Sequence, residues 1–97
     1  MAEVLDAEAV RRELAGLDGW TGGPSGISRT VELSDFPTAI AAVDRVAVVA
    51  EELDHHPDMD IRWRSVTFRC VTHSAGGLTQ RDVELARRID DILRGLL

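Results

Sequence analysis

Between Thr38 and Ala50 the chain carries only two charges, Asp44 and Arg45, within the run Asp35 to Asp54. A helix is the expected form, capped by Ser34 or Asp35, with Pro37 in the first turn where a missing amide donor costs little. Two apolar stripes run along it. Phe36, Ile40, Val43, Ala47 and Ala50 stand at the spacing of a core face, and Ala42, Val46, Val49 and Leu53 lie beside them. A helix apolar on two sides cannot rest on one sheet and leave the remainder to water. The first stripe is therefore expected to face the sheet, and the second a partner subunit. The alternative is very deep burial within one subunit, which a two-layer domain of this size can hardly provide. Pro57 ends the helix or lies just past its end, because it has no amide to donate and restricts the preceding residue to extended backbone. His55 and His56 are thereby placed at the C-terminus.

The flanking segments alternate or repeat in recognisable ways. Asp6 to Leu17 predicts a short amphipathic helix with Asp6 as N-cap and Val10, Leu14 and Leu17 inward, ending near Gly16 or Gly19. Gly19-Trp20-Thr21 and Ile27 to Leu33 flank the loop GGPSG, a hairpin signal; Ile27, Val31 and Leu33 share one side, and Ser28, Thr30 and Glu32 a wet one. Met59, Ile61 and Trp63 alternate with Asp60, Arg62 and Arg64, and after a turn near Ser65 the residues Val66, Phe68 and Cys70 alternate with Thr67 and Arg69. These read as two more half-buried strands. Thr79 then caps a last helix with Leu85, Ile89, Ile92 and Leu96 inward. The order α-β-β-α-β-β-α predicts an α+β fold, a two-layer α/β sandwich whose four-stranded antiparallel sheet has helices on one face.

Ninety-seven residues make one domain, 1–97, with no repeat or linker. Such a chain buries only about 60 to 65% of its unfolded surface, so a homodimer or homotetramer would help to stabilise it. A net charge of -6, from 17 acidic and 11 basic residues, argues against direct binding of nucleic acid. No apolar run is long enough to span a membrane, and the start MAEVLDAEAV lacks the basic-then-apolar order of a signal peptide. With a lone Cys70 that has no internal disulfide partner, a cytoplasmic setting is expected.

All three histidines, His55, His56 and His73, fall within 19 residues, among carboxylates and a Gly-Gly turn, with His73 expected at the end of the fourth strand. Imidazoles gathered on element ends suit proton transfer to a small bound molecule. Each residue also has an ordinary use. His55 and His56 can face the negative end of the helix macrodipole; Glu51 can be an i,i+4 partner of His55; Asp82 can complete a capping box with Thr79. Trp20 and Trp63 are more often core than ligand platform, and Gly76-Gly77 can either shape a sharp helix entry or let backbone approach a flat ring. Zinc has enough ligand types here in His55, His56, His73 and Glu51 or Cys70. Yet adjacent histidines on a helix diverge by about 100°, and no HExxH or paired CxxC spacing occurs, so no metal is expected. Cys70 falls on the apolar parity of its strand, where a thiol is usually inert.

Glu51, His55, His56, Pro57, Trp63, His73 and Asp82 together resemble the pterin-4a-carbinolamine dehydratase family, whose pattern they meet in order without insertion. Weaker similarity runs through Gly19-Trp20, Asp35-Phe36, Arg45-Val46-Ala47, Gly76-Gly77-Leu78-Thr79 and Leu85-Ala86, covering residues 5 to 94. The resemblance implies dehydration of a 4a-hydroxytetrahydropterin, the product left by aromatic amino-acid hydroxylases, to quinonoid dihydropterin, with no cofactor. It implies catalytic roles for His55 and His73 as the acid and base pair and for His56 in positioning and polarising substrate. Backbone at Pro57, Thr72, Ser74 and Ala75 would hold the pterin edges, and Glu51 and Asp82 would support the site. The chain departs from the usual pattern at Ser74, where many members carry an acidic residue, at Met59, where many carry an aromatic, and at Arg64, where Asn is frequent. Animal members of the family also serve as dimerisation partners of a transcription factor, so a non-catalytic binding module using the long helix is the alternative reading.

Overall fold

The computed structural model describes residues 3–97; Met1 and Ala2, which open the 1–97 domain reading and the MAEV start, lie outside the described residues. The first helix, α1 (Ala7–Ala15), begins where the Asp6 carboxylate accepts the Ala9 amide at 2.8 Å and stops at Gly16. Strands β1 (Thr21–Gly23) and β2 (Gly26–Glu32) form the expected hairpin. Gly22, at φ 135°, lies so close to the Gly26 carbonyl that a side chain could not be accommodated there. Helix α2 (Phe36–Leu53) follows, with Asp35 accepting the Thr38 amide at 2.8 Å; the Thr38 side chain and then this amide hold the Asp35 carboxyl below the usual range. Next come β3 (Asp58–Arg62), β4 (Ser65–Cys70), a single 3-10 turn at His73–Ala75, and α3 (Gln80–Arg94). One antiparallel sheet in the order β1-β2-β4-β3 results, in the predicted α+β arrangement.

Register explains which face is dry. Ile27 pairs with Cys70 and Val31 with Val66, so these side chains and Phe68 share one face and are buried. Ser28, Thr30, Thr67 and Arg69 take the other, where the Thr30 and Thr67 hydroxyls bond at 2.8 Å. Removing the Phe68 ring would cost about 3–5 kcal/mol, a large share of a total stability of about 5–15 kcal/mol. Arg29 is the polar exception on the dry parity. Its guanidinium meets Asp90 of α3 at 2.7 Å, and the same carboxylate oxygen accepts the Trp20 indole N–H at 2.8 Å. Trp20 is core, as expected, and this paired charge ties the first hairpin to the last helix.

Three expectations are corrected. The second stripe of α2 faces inward: Ala42, Val46 and Val49 are buried within the subunit and Leu53 packs against its core, joined by Val43 and Ala50 of the first stripe, while Phe36 and Ala47 of that stripe and the neighbouring Val48 are exposed. The seat under α2 takes mostly small side chains, Ala39, Ala42, Val46, Val49 and Ala50, and periodicity alone cannot tell which of two adjoining stripes fits it. Second, β3 is not half-buried. It is the sheet edge, where Ile61 is exposed and Trp63, expected in the core, is 72% exposed at the hairpin tip with φ 55° and the Arg64 guanidinium over its ring. Third, β4 ends at Cys70, so His73 opens the following 3-10 turn instead of closing the strand.

Candidate active site

The end of α2 and the start of α3 are brought together beside the segment that follows β4. His55 and His56 reach the site because Asp54 leaves the helix in left-handed backbone, φ 48° and ψ 45°, and its amide closes onto Ala50 and Glu51 carbonyls. The chain then enters β3 through Pro57. On the opposite side Thr72 pairs with Gly77 as an isolated bridge, and the 3-10 turn between them carries His73 and Ser74. The cleft between these segments holds about 280 Å³. His55, His56, Thr72, His73 and Ser74 line it, together with Asp54, Val71 and Arg81.

Behind His55 lies a closed polar network. Its Nε2 stands 2.5 Å from Asp82 Oδ1, with His55 8% exposed and Asp82 fully buried. Asp82 Oδ2 accepts the Thr72 hydroxyl at 2.8 Å and the Thr79 amide at 2.9 Å. Since Thr72 spends its one proton on Asp82, the Thr79 hydroxyl donates to Thr72 Oγ1 at 2.7 Å, and itself accepts the Arg81 amide at 3.2 Å. A carboxylate already accepting two bonds on Oδ2 leaves Oδ1 for a third donor, which fixes the proton of neutral His55 on Nε2. In that neutral form the lone pair is on Nδ1. Among the described residues no buried side-chain nitrogen or oxygen lacks a partner.

The other predicted residues sort into inner and outer positions. Glu51 does not pair with His55, as helical spacing suggested, but with His56 through Oε2 and Nε2; both are largely exposed. The left-handed residue Asp54 breaks the i,i+4 spacing and turns the neighbouring ring toward Glu51 instead. Asp82 completes the capping box with Thr79, as its spacing suggested, and also contacts His55. His73 is exposed on its turn. Pro57 and Ala75 adjoin the cleft in the chain but do not line it, and Trp63 is at the hairpin tip, outside the lining. Sequence reasoning missed Arg81, Asp54 and Val71. The signal for Arg81 was present: a residue in the first turn of a helix whose cap faces the site.

Among the described residues no three His, Cys, Asp or Glu side chains gather as a metal-binding group, for His55 and His56 engage separate carboxylates. Cys70 is buried, and burial pushes its thiol well above the usual range, with Asp82, Asp58 and Asp90 adding to the effect; it is a neutral packing group.

The family model described as pterin 4 alpha carbinolamine dehydratase matches residues 3–92. The chain belongs to this family. A Nocardia farcinica protein that carries the provisional name pterin-4-alpha-carbinolamine dehydratase is 56% identical over 92 residues, 95% of this chain and 97% of that one. A Roseiflexus protein of the same provisional name is 50% identical over 93 residues, 96% and 100% of the two chains. Among solved structures, the transcriptional coactivator/pterin dehydratase from Brucella melitensis superposes with a TM-score of 0.87 at 34% identity, over 93% of this chain and 98% of that one. A pterin dehydratase-like protein identified as a RuBisCO assembly factor in the alpha-carboxysome shares the fold alone, at TM-score 0.62 and 19% identity over 75% and 84% of the chains. No helix among the described residues is long and apolar enough to cross a membrane.

Proposed function

We propose that this chain, as one domain over 1–97, dehydrates a 4a-hydroxytetrahydropterin to quinonoid dihydropterin and water, recycling the tetrahydropterin of aromatic amino-acid hydroxylases without a cofactor. The observation that carries the reading is the cleft itself: all three histidines line one small volume, and the ring of one is backed by a buried carboxylate. Membership of a pterin carbinolamine dehydratase family supports the choice of substrate. Loss of water breaks the bond from C4a to the hydroxyl oxygen, which leaves with the electron pair and an added proton. The N5 proton departs, and its electron pair forms the double bond from N5 to C4a. One group must therefore give a proton and another take one.

His55 is the base in our reading. Its Nε2–H is held by Asp82, so the lone pair on Nδ1 is the part of the ring left for N5–H. His73, exposed on its turn, is the acid for the departing hydroxyl. After turnover the proton gained by His55 and the one lost by His73 are exchanged with water in an open cleft. His56, leaning on Glu51, positions and polarises the ring. Backbone at Thr72 and Ser74, which line the cleft, holds the polar edges of the pterin, with Pro57 and Ala75 adjoining them in the chain. The test is conversion of carbinolamine by chelator-treated protein, followed in the ultraviolet. Acceleration without added metal supports the reading, and a rate restored only by zinc sinks it.

A binding-module role is the second reading. It draws on the similarity to the Brucella protein, a transcriptional coactivator/pterin dehydratase, and on Phe36 and Val48, 47% and 59% exposed on α2. The same two residues equally support a cytoplasmic homodimer or homotetramer, which is the form we propose for the enzyme. The carbinolamine assay separates a pure binding module from an enzyme.

A further inference from the structure

Helix α2 ends with an electrostatic problem that its own sequence does not solve. Its last turn has no basic residue, and the residue whose amide would serve the Leu53 carbonyl is Pro57, which has none. The next carbonyl, that of Asp54, lies past the left-handed turn of the chain. Both are served from another element. Arg81 Nη2 donates to Leu53 O at 3.3 Å and to Asp54 O at 2.5 Å. The Asp54 carbonyl belongs to the peptide that carries the His55 amide, so the guanidinium grips the backbone at the point where the two histidines branch from it. One residue further along α3, Asp82 grips the His55 ring. The first turn of α3 thus holds His55 at two points, backbone and ring, and Thr79 anchors that turn through the capping box.

We propose that Arg81 is a positioning residue for the dehydration: by holding the Asp54–His55 peptide it sets where the His55 and His56 rings stand over the cleft. This rests on the dehydratase reading above. A left-handed non-glycine residue such as Asp54 is held only where its surroundings over-determine it, and releasing it lets the chain relax to ordinary backbone, turning both rings away. Geometry shifted by about 1 Å at reacting groups costs turnover far more than ground-state affinity.

The experiment compares wild type with Arg81→Ala and Arg81→Lys, reading kcat, KM and the ring N–H signals of ¹⁵N-histidine-labelled protein. Arg81→Ala should lose about tenfold or more in kcat with KM changed by less than about threefold. Arg81→Lys should recover part of the loss, because an ammonium can reach one of the two carbonyls. The His55 Nε2–H resonance, held by Asp82 in wild type, should broaden in Arg81→Ala and sharpen again in Arg81→Lys. Unchanged kcat in a folded Arg81→Ala overturns the proposal, as does a lysine variant no better than alanine. If Arg81→Ala does not fold, Arg81→Met, which keeps much of the side chain's apolar stem but has no donor, takes its place under the same criteria. A wild type with no dehydratase activity fails the functional reading instead; the resonance then decides alone, and an unaltered His55 signal overturns the clamp.

Discussion

His55 and His73 differ in what surrounds them, and that difference governs what their removal should do. His55 is buried against Asp82, whereas His73 is exposed on a short turn. In the proposed mechanism each serves one of the two proton transfers, so His55→Ala and His73→Ala should each lower kcat by about 10²-fold or more. His56 interacts with the exposed Glu51 and is proposed to take neither proton, so His56→Ala should raise KM more than either of them. Steady-state kinetics on the three variants checks this; full turnover in either of the first two would show the acid and base assignment to be wrong. Asp82→Asn makes a finer point. The amide keeps much of the shape, but it can offer an N–H to His55 where the carboxylate only accepts, and so favours the other tautomer. A kcat loss comparable to His55→Ala, in a protein of near-native melting temperature, is expected. The cluster was legible in the sequence because histidines are scarce and close together. The network behind it was not, since Thr72, Thr79 and Asp82 meet through tertiary packing that no local spacing encodes.

Element boundaries followed the local chemistry closely. Asp6, Asp35 and Thr79 cap the three helices, as their side chains suggested, and Gly16 and Pro57 mark exits. Capping is a short-range interaction, which is why sequence reveals it. The Asp35 cap also titrates. Its folded carboxyl is held below its unfolded range of about 3.9 by the Thr38 hydrogen bonds, so its stabilisation is complete above that range and fades as pH falls through the lower folded value. Asp35→Ala should therefore lower the melting temperature at pH 7, and the gap from wild type should close in strong acid. Thermal unfolding by circular dichroism across pH 2 to 7 checks the sign; a gap that widened in acid would contradict it. Facing was harder to read than extent. The two stripes of α2 are equally periodic, and only the narrow seat filled by Ala39, Ala42 and Val46 decides between them. In β3 the alternation was real, but the strand lies at the sheet edge, so Ile61 faces the helical side without full cover.

At the scale of the whole molecule, the inward turn of the second stripe changes where a partner subunit would sit. Val46 and Val49 are core residues, so replacing them with Glu should unfold the protein rather than divide an oligomer. Val48 is 59% exposed, and Val48→Glu should leave the fold intact while shifting light scattering to a smaller species. An unmodified protein that is already monomeric at micromolar concentration would contradict the proposed assembly without touching the chemistry. The chemistry is tested most directly by one measurement: stopped-flow ultraviolet traces of carbinolamine decay with chelator-treated wild type, with His55→Ala, and with no protein. The account predicts a wild-type trace far faster than the protein-free one and a His55→Ala trace slowed by about 10²-fold relative to wild type. A wild-type trace that superimposes on the protein-free decay would contradict it.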